Sequence, residues 1–324
     1  MSTQLDFPET LLETISYFAD EDRAFEFVRS FRWLNGEARC PDCDSKENYF
    51  LPSGKVWKCK VCSRKFSLKI GTVFEDSPIK LGTWLCAFWL TVNAKNGVSS
   101  YEIHRALGVT QKTGWFMLQR IRLALQNGSI VKFRGTVEAD ETFIGGKARN
   151  MHHGKRKAAG RGANGKTAVQ GLLERHSGNK ASKRASRVVL NVVSDCGRDT
   201  LQGNVRKYVL KGSELNTDAH KSYTGLGREY VHEVVDHAEE YVRGKVHTNG
   251  LENFWALLKR CIKGTHVSVE PFHLFRYLDE QAFRFNERKD NDQGRFLKGI
   301  FGIIGRRLTY KRLIGDNDGL PATA

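Results

Sequence analysis

Two tight cysteine pairs constrain this chain more than any other feature. They are "CPDC", with Cys40 and Cys43, and "CKVC", with Cys59 and Cys62, separated by fifteen residues that include the turn-forming runs "DSKEN" and "PSGK". A CxxC-x15-CxxC spacing lets two knuckles offer four thiolates to one tetrahedral ion, so a structural zinc site is expected at Cys40, Cys43, Cys59 and Cys62. Four protein ligands leave no open coordination position. That zinc folds a module and does no chemistry. The remaining three of the seven cysteines, Cys86, Cys196 and Cys261, have no sequence partner, which argues against a disulfide framework and for a reducing cytoplasm.

The charge points to a polyanionic partner. Lys and Arg number 52 against 36 Asp and Glu, a formal net charge of +16 with a pI near 9.6. The first thirty residues run the other way, rich in Asp and Glu, so the basic charge belongs to the rest. The most apolar run, Leu81 to Ala94, is too short for a bilayer and contains Thr91 and Asn93. It reads as a buried helix, no membrane role is expected, and the acidic start lacks a secretory signal.

Behind that run lies "GVSSYEIHRALGVTQKTGWFMLQRIRLALQNG". Ser99 and Glu102 form a capping box, and a short helix with Ile103, Ala106 and Leu107 inward is expected to stop at Gly108. Thr110 caps a longer helix through Trp115, Leu118, Ile121 and Leu125, ending at Gly128. This is a helix-turn-helix pattern, whose second helix would present Gln111, Lys112 and Thr113 to the bases.

From Phe133 the period changes to two. In "FRGTVEADETFIGG", Val137, Ala139 and Phe143 share one face and Glu138, Asp140 and Thr142 the other, the mark of a strand with one buried side. The following Gly-rich stretch from Lys147 to Lys166 carries seven cations and no acid, and Lys155, Arg156 and Lys157 are expected to grip phosphates. "KTAVQGLLER" and "RVVLNVVSD" read as further strands, the second apolar enough to be central in its sheet. A helix over about Thr200 to Leu210 follows, then a short strand ending at Asp218, then the helix of "HTNGLENFWALLKR" with Glu252.

Strand, strand, strand, helix, strand ending in Asp, and helix with Glu is the element order of a ribonuclease-H-like domain. Such a domain gathers carboxylates from separate elements around a pair of divalent ions. Asp140, Asp218 and Glu252 are the candidates, with Glu138 and Glu141 as alternatives to Asp140. Lys259 stands two helical turns past Glu252 on the same face. Phe254 and Trp255 continue the apolar side of that helix and read as core.

The stretches "VEADETFIGGK", "TDAHKSY", "HTNGLENFWALLKR" and "RYLDEQAFRFNER", with "FSLKIGTVFEDSPIKLGTWL" after the cysteines, resemble bacterial insertion-sequence transposases of the DDE type. The resembling group is the ISXO type, with an N-terminal zinc ribbon and a Lys seven residues after the catalytic Glu. The resemblance covers roughly residues 20 to 290. It implies an α/β, ribonuclease-H-like catalytic core preceded by a zinc ribbon and a helix-turn-helix region. It also implies catalytic Asp140, Asp218 and Glu252 holding two Mg²⁺ or Mn²⁺ ions, with Lys259 contacting a phosphate.

The implied reaction is phosphoryl transfer in two like steps, cleavage at the element's end and attack of the freed 3′-hydroxyl on target DNA. The partners implied are terminal inverted repeats, target DNA and at least a second copy of the chain on DNA, in a bacterial cytoplasm at the nucleoid. The alternatives are a ribonuclease-H-like nuclease or resolvase without strand transfer, and a zinc-ribbon, helix-turn-helix DNA-binding regulator. The expected organisation is an acidic helical segment over 1–35, a zinc ribbon over 36–70 and a helix-turn-helix region over 78–130. The catalytic domain follows over 133–290 with a basic insertion at 147–186, and then a basic tail over 291–324.

Overall fold

A computed structural model describes residues 7–126, 131–146, 165–176, 185–235 and 246–315. They divide into two compact units, one drawn from Met1–Gln126 and Asp290–Ala324, the other from Asn127–Lys289.

The first unit opens with helices α1 (Leu11–Phe18) and α2 (Glu21–Arg32). Thr10 and Glu13 form a capping box on α1, and Asp20 accepts from the backbone N–H groups of Asp22 and Arg23 to start α2. Three short antiparallel strands follow in the order β1 (Asn48–Leu51), β2 (Val56–Cys59) and β3 (Lys65–Ser67). Trp57 of β2 anchors this small sheet to α2, its ring stacked on Phe25 at 5.7 Å and edge-on to Trp33 at 4.8 Å. Helix α3 (Leu81–Asn93) is the apolar run, and ten of its thirteen residues are buried, which makes it the centre of the unit. Its N-terminus lacks a side-chain cap of its own; the Glu21 carboxylate accepts from the N–H groups of Leu81 and Gly82 instead. Gly82 permits that approach, since a Cβ there would sit 2.1 Å from the carbonyl oxygen of Phe18.

Helices α4 (Ser100–Leu107) and α5 (Gln111–Leu125) carry the expected punctuation: the Ser99 and Glu102 capping box, Gly108 at φ 66°, and Thr110 as the cap of α5. Within α4, Ile103 is fully buried, but Ala106 is exposed and Leu107 half-buried, so the inward stripe is narrower than expected. Helix α5 closes at Leu125 with Gln126 as its C-cap, ahead of Gly128, which lies outside the described residues.

The second unit is a five-stranded mixed sheet with helices on both faces. Its strands are β4 (Thr136–Ile144), β5 (Thr167–Glu174), β6 (Arg187–Val193), β7 (Glu214–Asp218) and β8 (Val231–Val235), in the spatial order β6-β5-β4-β7-β8. The first three form an antiparallel meander, and β7 and β8 run parallel to β4 and to each other in turn. Helix α6 (Arg198–Tyr208) covers one face, where Leu201 and Val205 pack with Val137, Ala139, Leu172 and Leu215. Helices α7 (Asn249–Cys261) and α8 (Leu274–Asn286) cover the other, where Leu251, Phe254 and Leu278 pack with Val169, Leu173 and Val188.

Two expectations about these strands change. β4 has both sides buried toward its start, with Glu138 only 1% exposed, and it is Phe143 that is exposed at 41%. The period of two located the faces correctly, but α7 covers the polar one. β6 is an edge strand, with β4 in the middle. Its apolar sequence reflects burial on both faces rather than a central place, and its free edge is satisfied locally. The Asn286 side chain accepts from Val188 N–H at 2.7 Å and donates to the Val188 carbonyl at 3.0 Å, standing where another strand would pair.

The chain then returns to the first unit with α9 (Asp292–Phe301) and α10 (Tyr310–Ile314). Residues expected as a basic tail therefore contribute a folded layer. Phe296 stacks on Phe27 at 5.7 Å and meets Trp89 at 5.3 Å, and Ile300, Ile303, Leu308 and Leu313 are buried at 1% exposure or less. The cations of this stretch hide an apolar series spaced to line a core.

Candidate functional site

The four cysteines converge. Among the described residues they are the one group of three or more His, Cys, Asp or Glu side chains whose ligand atoms all lie within 4.8 Å of one another. Cys40 and Cys62 sulfurs are 3.5 Å apart, and those of Cys43 and Cys59 are 3.6 Å apart. A tetrahedral ion with sulfurs at about 2.3 Å needs edges of about 3.8 Å, so the cluster is at zinc dimensions. Asp44 and Ser63, each just after the second cysteine of its pair, adopt positive φ of 55° and 61°, the backbone reversal that closes each knuckle. The Cys62 N–H donates to Cys59 Sγ at 3.5 Å and brings that thiol down to about 7. These four cysteines make a structural zinc site.

The carboxylates occupy the second unit. In the parallel register of β4 and β7, Ala139 lies opposite Thr217, so the next step sets Asp140 beside Asp218 on neighbouring strands, about 4.8 Å apart at the backbone. The Asp140 side chain points to the α7 face, because the flanking Ala139 points into the α6 core, and Asp218, at the end of β7, accepts from the His220 N–H at 3.1 Å. Trp255 of α7 donates its indole N–H to Asp140 Oδ2 at 2.8 Å, and the Glu141 N–H donates to Oδ1 at the same distance. Gly171, opposite Asp140 on β5, makes room for that ring: a Cβ would lie 2.7 Å from the indole. Burial pushes the Asp140 carboxyl above its ordinary value, and the charges of Asp218 and Glu252 push it further. The three acids thus share one electrostatic field, while their oxygens are more widely spaced than the zinc ligands. Glu252 and Lys259 are exposed on α7, two turns apart.

Neither alternative to Asp140 shares this position. Glu138 is sequestered: it accepts from Arg175 Nε at 2.5 Å and from the Leu251 N–H at 2.8 Å. It thereby caps the start of α7, which Thr248 does not. Gly250 admits the carboxylate, since a Cβ there would stand 2.8 Å from its oxygen. Arg175 also donates to the His247 carbonyl and to His247 Nδ1, the latter at 2.7 Å. Burial, then the Arg175 charge, lowers the His247 imidazole, which lies 3.7 Å from Glu138. Asn249 lines a cavity of about 1130 Å³ beside Glu138, Arg175 and His247.

Glu141 points through the sheet to the other side, where Tyr223 donates its hydroxyl proton to it and Gln170 Nε2 donates to the Tyr223 oxygen at 3.1 Å. Burial raises the Glu141 carboxyl to about 7 despite the Tyr223 bond. Because Tyr223 follows Asp218 by five residues, this pair ties the loop beyond β7 to β4. Asp218 itself opens on a cavity of about 440 Å³ shared with His220, Arg228 and His232.

Among the expected base-facing residues, Lys112 is exposed and holds its ammonium 5.1 Å from the centroid of the Tyr310 ring. Gln111 and Thr113 are half-buried and engaged in the turn, Gln111 donating to Ser100 Oγ at 2.8 Å and Thr113 Oγ1 lying 2.8 Å from Thr110 Oγ1. Lys155, Arg156 and Lys157 lie outside the described residues. Sequence reasoning missed Glu138, Arg175, Trp255 and Tyr223 as residues that organise the site. The one available signal was a Glu in alternation on the polar face of β4.

Comparison with known proteins follows the same division. The cysteine cluster falls in a match to the transposase zinc-ribbon domain over residues 19–65, and the carboxylate-bearing sheet in a match to the ISXO2-like transposase domain over residues 132–286. An uncharacterized protein in transposable element ISH50 of Halobacterium salinarum is 28% identical over 278 residues, covering 82% of this chain and 90% of that protein. No helix among the described residues is long and apolar enough to cross a membrane. Matched in order along its length, the chain carries a transposase zinc-ribbon domain followed by an ISXO2-like transposase domain.

Proposed function

We propose that this transposase binds the terminal inverted repeats of its element and performs end cleavage and strand transfer at Asp140, Asp218 and Glu252. The observation that carries the reading is the in-register placement of Asp140 beside Asp218, with Glu252 near enough to raise the Asp140 carboxyl. A sheet of order β6-β5-β4-β7-β8, a meander of three with two strands parallel to β4, supports a ribonuclease-H-like core.

The donor set suits Mg²⁺ or Mn²⁺: three carboxylates from two strands and a helix offer hard oxygens, and their mutual repulsion is relieved by cations. Bound there, a pair of such ions would supply charge stabilisation for in-line phosphoryl transfer. Trp255 holds Asp140 in one rotamer, Glu138 and Arg175 fix the start of the helix bearing Glu252, and Tyr223 with Glu141 fixes the loop after Asp218. Lys259 contacts a phosphate next to the scissile bond as a point charge. Helices α4 and α5 act as a helix-turn-helix, with Lys112 at the DNA. Joining two ends requires at least two copies of the chain on DNA.

Glu252→Gln is expected to abolish cleavage of a labelled end duplex while leaving its binding nearly unchanged. Undiminished cleavage by that variant would remove Glu252 from the site.

A further inference from the structure

The cations near the C-terminus are not equivalent, and their sorting identifies a surface. Arg306 is turned inward, where it donates to the carbonyls of Leu123, Ala124 and Gln126 and so closes the C-terminus of α5. Arg307 pairs with Glu75 at 3.0 Å and with Asp76 at 2.7 Å. Lys311 and Arg312, by contrast, are exposed on α10.

The place of α10 is fixed by Tyr310. Its ring meets Phe116 of α5 edge to face at 5.9 Å, and the Lys112 ammonium sits over it. Phe116 is in turn backed by the Arg120 guanidinium at 4.3 Å, and Arg120 is held by the carbonyls of Val73 and Glu75. Below, Leu308 and Leu313 are buried, and the segment before them is stitched to residues 71–73 by Val73 N–H to the Ile303 carbonyl and Gly305 N–H to the Gly71 carbonyl. A solvated basic face would need none of this. An aromatic pair and a small core of its own thus hold α10, which carries the exposed Lys311 and Arg312, against the part of α5 that bears Lys112.

We propose that α10 is a third element of the DNA-reading surface, with Lys311 and Arg312 contacting the phosphate backbone beside the groove that α5 enters. The inference rests on the end-binding reading given above. Phosphate contacts of this kind set orientation and affinity but carry no sequence preference of their own. The helix would hold α5 in register along the duplex, leaving discrimination to α5.

The test is the binding of full-length protein, by fluorescence anisotropy across a salt series, to a duplex of the element's terminal sequence and to a scrambled duplex of equal length. Replacing both cations (K311A with R312A) is expected to weaken binding to both duplexes about tenfold at moderate salt. The slope of log K against log salt should fall by about 1.8, near 0.9 for each phosphate no longer neutralised, with the preference for the terminal duplex retained. The charge-preserving exchange K311R with R312K should keep the parental slope. A K311A with R312A variant that binds with parental affinity and slope, while the parent still prefers the terminal duplex, would overturn the role of α10 alone. A parent that does not distinguish the two duplexes would overturn the end-binding reading and this inference with it.

Discussion

The indole N–H of Trp255 and the carboxylate of Asp140 meet at 2.8 Å across a strand position, Gly171, that has no side chain to keep them apart. An apolar helix and a candidate metal ligand are joined by one hydrogen bond. Trp255→Phe keeps most of the buried area and removes the donor, so the expected loss is about 1 kcal/mol of stability and about tenfold in strand transfer. Gly171→Ala should act in the same direction by displacing the ring. Turnover on an end duplex, with circular dichroism as the fold control, checks both; parental rates in both variants would show that Asp140 needs no such support.

Glu138 and Arg175 form the second support. Removing Glu138 by substitution with Ala leaves the mostly buried Arg175 charge without its carboxylate and the first turn of α7 without its cap, a destabilisation of about 3 kcal/mol. Glu138→Gln, which keeps the acceptor oxygen, should lose less. Urea unfolding of the two variants orders them, and a Gln variant as unstable as the Ala variant would assign the effect to charge rather than capping.

Much of this arrangement could be read from residues alone, and what could not has identifiable causes. The zinc knuckles followed from CxxC spacing and the caps of α4 and α5 from Ser99, Glu102 and Thr110, and the strand expected to end at Asp218 does end there. Glu138 was illegible as a buried group because alternation says which face a residue is on, not whether another element covers that face. β6 looked central because burial on both faces gives the same apolar run whether or not a second strand pairs with it, and its edge is capped by Asn286, 98 residues away. Trp255 was legible as core but not as a donor, since its polar atom matters only once Gly171 is known to face it. The C-terminal layer was masked by its own cations.

Glu141 predicts a pH dependence. Its folded carboxyl, raised by burial to about 7 from an ordinary 4.5, binds a proton more tightly than the unfolded chain does. Protonation therefore favours the folded form: the contribution is complete below about pH 4.5 and is lost as pH rises through 7, amounting to as much as about 3 kcal/mol. Asp140, shifted in the same direction, adds to the slope. Melting temperatures measured from pH 5 to 8 without added Mg²⁺ should fall with pH in the parent and fall less in Glu141→Gln; equal slopes would contradict the assignment.

Zinc removal has a separate signature. Cys40→Ser should reduce bound zinc from one ion per chain to none and unfold the ribbon, since a structural zinc contributes on the order of 10 kcal/mol to folding its module. Zinc content by atomic absorption together with tryptophan fluorescence, sensitive to Trp57, follows both effects. Full zinc loading in the variant would exclude Cys40 as a ligand.

The most direct measurement is strand joining itself: purified protein with Mg²⁺, a labelled duplex of the element's terminal sequence and a supercoiled target plasmid. The predicted result is labelled end joined to plasmid by the parent, with joining lost in Asp218→Asn and end binding kept. Cleaved ends with no joined product would contradict strand transfer, and joining by Asp218→Asn at the parental rate would contradict the site.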